Sequence, residues 1–385
     1  MRHLRPVTAV ALSAALLTAP GIATLSPVYA ASSATTVATA NPDPAALKAR
    51  IAALMPKGDT ATKRALDRLI SEPSSIDGTQ YQCGPTEFAA WQKRSTANWT
   101  ADDFTILDNL GAFDLPTYDA LVDGSENDPA YALRADAQVM TKTMRKLEKF
   151  WDIKSDDIQL MAMHGDMLRD TARTSRMYQI AYELPKAQAD ELAAILAQYI
   201  AQPKFEYGNH PMFTLNAFAF TTYGEPIEGV GVVGDRIVMG DGILRAYREM
   251  GYGDVAPQAI LAHEFGHHVQ FELRMHDDHP SPEATRRTEL HADASAAYFL
   301  SHPRGMSMQI KRVTQFLRVF YSIGDCGFSS DGHHGTPLQR ERAGNWAYQL
   351  QESARPKGRI LGSVEFARLF DAVLPRLVAP DARAA

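Results

Sequence analysis

His263-Glu264-Phe265-Gly266-His267 decides the reading of this chain. On an α-helix, residues four apart stand one turn above each other on one face, so His263 and His267 can direct their imidazoles at a single point. Two imidazoles converging in this way are a metal-binding pair, and Glu264 between them carries a carboxylate able to reach a water held by the same ion. The surroundings put the five residues inside a helix. Gly251-Tyr252-Gly253-Asp254 is a turn-rich lead-in, Asp254 is a candidate N-cap, and Pro257 fits only near a helix start. Ile260, Leu261, Phe265, Val269 and Leu273 then supply an apolar side to bury.

A catalytic zinc takes three protein ligands and keeps a fourth position for water. One source of the third ligand is a histidine six residues past the motif. Leu273 stands there, and Gln270 replaces the glycine that such a turn needs, which excludes the metzincin arrangement. The other source is a carboxylate from a second helix. Residues 281–300 offer one, with Ser281 or Thr285 as the cap and Glu289-Leu290-His291-Ala292-Asp293 presenting Glu289 and Asp293 one turn apart. Glu289 is the preferred ligand, and Asp293 is placed to accept a hydrogen bond from the far nitrogen of a ligand histidine. His291 competes with Glu289 but projects about 200 degrees from it around the helix. The expected cofactor is one catalytic Zn2+.

These residues carry a family resemblance. His263 to Gln270 followed by Glu289 to Asp293 resembles the gluzincin metallopeptidases, most of all the bacterial neutral zinc metallopeptidases. His334-Gly335-Thr336-Pro337 with Gln339-Arg340 is similar to the His-Gly-x-x-x-Gln-Arg segment of that group. Asn216-Ala217-Phe218-Ala219 ahead of Arg236-Ile237-Val238 resembles the substrate-holding edge strand of a group of membrane-embedded zinc peptidases. Together these segments cover about residues 205–350. The resemblance implies a zincin-like catalytic domain with His263, His267 and Glu289 as zinc ligands, Glu264 as the catalytic residue and Asp293 as its support. The chain departs from the pattern at Ala294, where a cysteine usually follows the Ala-Asp pair.

Composition narrows the partners. The 385 residues carry a formal net charge of -6 and no cluster of Lys or Arg, so the positive field that nucleic-acid phosphates require is missing. Met1 to Ala30 reads as a secretory signal peptide: Arg2 and Arg5 open it, Val7 to Leu17 is a short apolar core, and Val28-Tyr29-Ala30 offers a cleavage site. No other apolar run approaches the ~18 residues of a membrane span. The expectation is a secreted or cell-envelope protein with no integral membrane segment once the signal is removed; an uncleaved anchor is the alternative. In that compartment the only two cysteines, Cys83 and Cys326, form a candidate disulfide.

The fold class expected is α+β, mainly helical, with a small sheet and the active-site helix in a zincin-like domain. Residues 31–43 read as a flexible leader, 44–200 as a helical amino-terminal region and 201–385 as the catalytic domain. Helical spacing marks Pro44 to Met55, Thr60 to Ile70, a long candidate from Asp128 to Trp151, Lys186 to Ala201 and Gly242 to Met250. Gln159 to Met163 is readable as strand or helix. Phe213 to Phe220 and Arg236 to Met239 read as strands, the first as an exposed edge able to hold an extended peptide at Asn216, Ala217 and Phe218.

The chemistry expected is hydrolysis of a peptide or protein substrate by zinc-activated water, with Glu264 as general base and then acid. His334 is the first candidate to stabilise the oxyanion, ahead of His333 and Arg340. His268, next to a ligand, should face away. Two other readings stay open at this level: an exported zinc-binding protein that assembles rather than cleaves, and a zinc amidase acting on cell-wall peptides.

Overall fold

The computed structural model describes residues 8–11, 43–67, 78–275, 281–324, 334–354 and 358–381. Within them a short strand, β1 (Thr8–Ala11), comes first. Helices α1 (Pro44–Leu54), α2 (Ala61–Asp67), α3 (Glu87–Ser95), α4 (Ala101–Asn109), α5 (Leu115–Val122) and α6 (Ala137–Phe150) follow. Strand β2 (Gln159–Met163) then leads into α7 (Thr171–Ala181) and α8 (Lys186–Ile200). After β3 (Ala217–Thr221), β4 (Pro226–Ile227), β5 (Gly231–Val232) and β6 (Arg236–Gly240), the chain ends in α9 (Asp241–Glu249), α10 (Ala256–Glu272), α11 (Pro282–Ser301), α12 (Ile310–Ile323), α13 (Pro337–Ser353) and α14 (Ser363–Leu377). The architecture is α+β and mainly helical.

The main sheet has the order β1-β3-β6-β2, and β4 and β5 form a separate hairpin. β3 and β6 are antiparallel, whereas β2 lies parallel to β6 with Met161 opposite Val238. A strand from the amino-terminal stretch is therefore hydrogen-bonded into the sheet beside the metal-motif helix. One apolar core runs from Leu47 to Leu377 through both stretches. Buried Arg236 ties the sheet to α5: its Nη1 donates to the carbonyls of Ala120 and Gly124 at 2.9 and 3.0 Å, where a helix end leaves acceptors unmet.

Two predicted elements are shorter than the sequence suggests. The long helix expected over 128–151 begins only at Ala137. Pro129–Tyr131 is instead a single 3-10 turn capped by Asp128, whose carboxylate accepts from the Ala130 amide at 2.9 Å. The Ala132 carbonyl then turns out to meet His164 Nε2 at 3.0 Å, which breaks the helical ladder. Likewise Phe213 is not in β3, because Pro211–Thr214 forms a 3-10 turn. Asn216 precedes the strand and is tied to β6 through its carbonyl, which accepts from Gly240 N at 3.0 Å.

α10 packs on β3 and β6 with one face and on α11 with another, while α6 and α12 flank it. The α10–α11 approach is close because of Gly266. A Cβ there would stand 3.1 Å from the Ala292 Cα, so glycine opposite alanine lets the two backbones come near enough for short side chains to meet across them. Asp254 does not cap α10. It pairs with Arg312 instead, and Val255 occupies the cap position. Ser281 caps α11 as expected, its hydroxyl accepting from Ala284 N at 3.1 Å. At the carboxyl ends of β2 and β6, away from α11, a cavity of about 260 Å³ opens beside α9, lined by Arg134, Asp136, Asp241, Arg245 and Arg248 among others.

Candidate metal centre

His263 and His267 are buried on α10, and their Nε2 atoms lie 3.0 Å apart. Glu289, from α11, brings Oε2 to 3.4 Å from His263 Nε2 and Oε1 to 3.4 Å from His267 Nε2. Neither approach has hydrogen-bond geometry, and both Glu289 oxygens are buried without a hydrogen-bond donor. The three side chains could hold a metal ion, with one ligand atom from each lying within 4.8 Å of the others.

The outer ring nitrogens fix which atoms are free to bind. The Thr288 carbonyl can only accept, so Gln270 Nε2, 2.7 Å away, is the donor there. Gln270 Oε1 is then the acceptor for His267 Nδ1–H at 3.1 Å, which leaves the lone pair of His267 on Nε2. Asp293 Oδ1 accepts from His263 Nδ1–H at 2.9 Å and does the same for His263. Two imidazole lone pairs and an unpartnered carboxylate thus converge on one point. Two bare lone pairs 3.0 Å apart would repel, so a proton or a cation belongs between the Nε2 atoms, and a cation would satisfy Glu289 as well.

Asp293 is held in turn by Arg340 of α13. The guanidinium donates from Nε to Asp293 Oδ2 at 2.6 Å and from Nη2 to Oδ1 at 2.7 Å, a bidentate pair with both partners fully buried. Arg340 Nη2 also lies 3.5 Å from Glu289 Oε2. Arg340 therefore buttresses the carboxylates through Nε and Nη2, while its Nη1 is buried without a hydrogen-bond partner. Its position follows from the Thr336–Gln339 capping box that starts α13. Gln270 and Arg340 are the site residues whose roles the sequence left unread. For Gln270 the available signal was a polar residue one turn along the helix from His267; for Arg340 it was the segment from His334 to Gln339-Arg340.

Burial and neighbouring charge set the protonation states. Burial opposes charging His263, but the Asp293 and Glu289 carboxylates outweigh it and raise its pKa to about 9. Glu289 also resists burial: the positive charges of His267 and His263 hold it below the usual carboxylate range, and His334 contributes in the same direction. His334 is buried, close enough for its charge to be felt at Glu289. Glu264 is the contrast. Burial lifts it to about 8, His263 opposes the shift and Glu289 adds to it.

Both Glu264 oxygens are buried and lack a hydrogen-bond partner. Ala217 and Phe218 lie in β3, but its outer edge is not open: β1 pairs along it. His268 points away from the cluster, its Nε2 donating to the Arg236 carbonyl at 3.1 Å. His291 is turned from the cluster too, with Nδ1 accepting from Gln270 Nε2 at 3.1 Å and its ring edge-on to Phe370. His164 is engaged by Asp241 at 2.6 Å, and His210 caps the Pro211 turn. His333 and Cys326 lie outside the described residues. None of the described helices is long and apolar enough to cross a membrane.

No known protein family matches the chain, nor does any curated protein or solved structure.

Proposed function

We propose that the chain is an exported zinc-dependent peptide hydrolase. The observation that carries this reading is the unpartnered, buried Glu264 carboxylate beside three converging ligand atoms. A purely structural metal site is usually closed by a fourth protein ligand, whereas two imidazoles and one carboxylate leave a position for water. The same donor set suits zinc. Bound zinc supplies Lewis acidity, polarising a substrate carbonyl and lowering the pKa of water to ~7.

The chain's own groups do the rest. A cation on His263 and His267 would pull Glu264 down from its raised pKa, making it the carboxylate that takes the proton from the attacking water. Glu264 then returns that proton to the leaving amine. Asp293 and Gln270 hold the two imidazoles in the tautomer that keeps Nε2 free. His334, buried beside Glu289, is the proposed donor to the developing oxyanion. Cleavage of the Met1–Ala30 leader and a Cys83 to Cys326 bridge belong to the same reading of an exported enzyme.

The test combines metal analysis with Glu264→Gln. The expected outcome is one zinc per chain in both proteins, with casein turnover lower by about 10²- to 10⁴-fold in the variant. Substoichiometric zinc after reconstitution, or unchanged turnover in the variant, would sink the proposal.

A further inference from the structure

His263, Glu264, His267 and Glu289 are all buried, so a peptide bond reaches them only if some element moves aside. β1 is the element that covers the outer edge of β3, the strand packed against α10. Its backbone pairs antiparallel with β3, with Thr8 opposite Thr221, Ala9 opposite Phe220, Val10 opposite Ala219 and Ala11 opposite Phe218. The other side of β3 is already bonded to β6, so β1 takes the remaining edge. Ala219, opposite Val10, lies on the strand that packs against α10, the helix carrying Glu264. β1 therefore runs one position out in the sheet from the strand that packs on the helix carrying the carboxylate that hydrolysis would use.

We propose that Thr8–Ala11 is an internal occupant of the β3 edge, excluding other extended segments from the site while the amino-terminal leader remains attached. Main-chain pairing of this kind does not depend on the sequence of the occupant, so the leader and an extended substrate compete for one edge. Four residues of strand make too few bonds to hold on by themselves. The covalent tether holds them, by keeping their effective concentration near the millimolar range. Once the tether is cut, the contact becomes bimolecular, the leader dilutes away, and the edge is left with unpaired N–H and C=O groups that recruit a new strand. The consequence for catalysis rests on the peptidase reading; the strand contact itself does not.

The test uses the full chain carrying Ala9→Pro and Val10→Pro together, since proline has no N–H to donate to the ladder. A fluorescein-labelled synthetic peptide of residues 5–14 serves as probe, with hydrogen exchange at Ala217–Thr221 and casein turnover measured alongside. The double variant is expected to bind the peptide at least tenfold more tightly than the parent and to exchange its β3 amides at least tenfold faster. Equal peptide binding and equal exchange in the two proteins would overturn the inference, whatever the turnover. Tighter binding with faster exchange but no casein cleavage would uphold the edge contact and remove the peptidase reading.

Discussion

The cavity at the carboxyl ends of β2 and β6 and the cluster between α10 and α11 draw on similar residue types, yet they differ in what they leave unanswered. Around the cavity, carboxylates meet arginines: Arg134 pairs with Asp166 at 2.9 Å, Arg248 with Asp136 at 2.6 Å, and Arg245 with Glu206. Asp241 accepts from His164 at 2.6 Å. Those charges sit partly in water and satisfy one another, so the region asks for no ligand. Between the helices, the Glu264 and Glu289 carboxylates are buried without hydrogen-bond partners, and the two imidazole Nε2 atoms stand 3.4 Å from Glu289. A buried acceptor without a donor is costly, and the arrangement makes sense with a cation. Charged residues in a pocket are thus a weaker sign of function than buried acceptors that nothing in the protein satisfies.

Four substitutions or titrations probe that contrast, in falling order of effect. Arg340→Met removes the one arginine that, among the described residues, pairs with the buried cluster and leaves Asp293 without its guanidinium, at a cost of about 3–5 kcal/mol in denaturant unfolding. A loss under about 1 kcal/mol would mean that Asp293 is satisfied some other way. Gln270→Leu takes the acceptor from His267 Nδ1–H, and zinc affinity by chelator competition should fall about 10- to 100-fold. An unchanged affinity would show that His267 needs no orienting partner.

The third is a pH effect at His268. Burial depresses its pKa to about 4, against an ordinary value of 6.5, with the hydrogen bond to the Arg236 carbonyl opposing the shift. Because the unfolded chain takes up the proton before the native one does, stability is complete above about pH 6.5 and falls as the pH drops toward 4. The slope from this residue is up to about 1.4 kcal/mol per pH unit. Comparing unfolding of the parent with His268→Asn at pH 7 and pH 5 checks it, since the variant should lose part of the acid sensitivity. The smallest effect belongs to the cavity: Arg248→Gln breaks a half-exposed pair and should cost no more than about 1 kcal/mol in thermal unfolding. A larger loss would put the cavity and the helix cluster on the same footing.

Much of the candidate centre could be read from local spacing. His263 with His267, and Glu289 with Asp293, are four-residue steps on helices that form where expected, and helical periodicity alone puts each pair on one face. Leu273 told which kind of third ligand to look for. The strand readings were less complete, since Pro211 and the His210 cap turned Phe213 into a 3-10 turn. Arg340 was visible as a residue but not in its role, because its bond to Asp293 joins positions 47 apart.

By itself the sequence determined the mainly helical α+β class, the two helices of the candidate centre and the identity of the three residues that could hold a metal ion. These follow from interactions within a turn or two of helix, where chain connectivity does the positioning. Only the tertiary structure decided that β2 joins β6 in parallel, that Gly266 against Ala292 brings α10 and α11 together, and that Gln270 and Arg340 set the tautomers and charges of the cluster. It also decided that β1 lies on the edge of β3. Each of these joins residues far apart in the chain, through packing and hydrogen bonds that leave no period in the sequence.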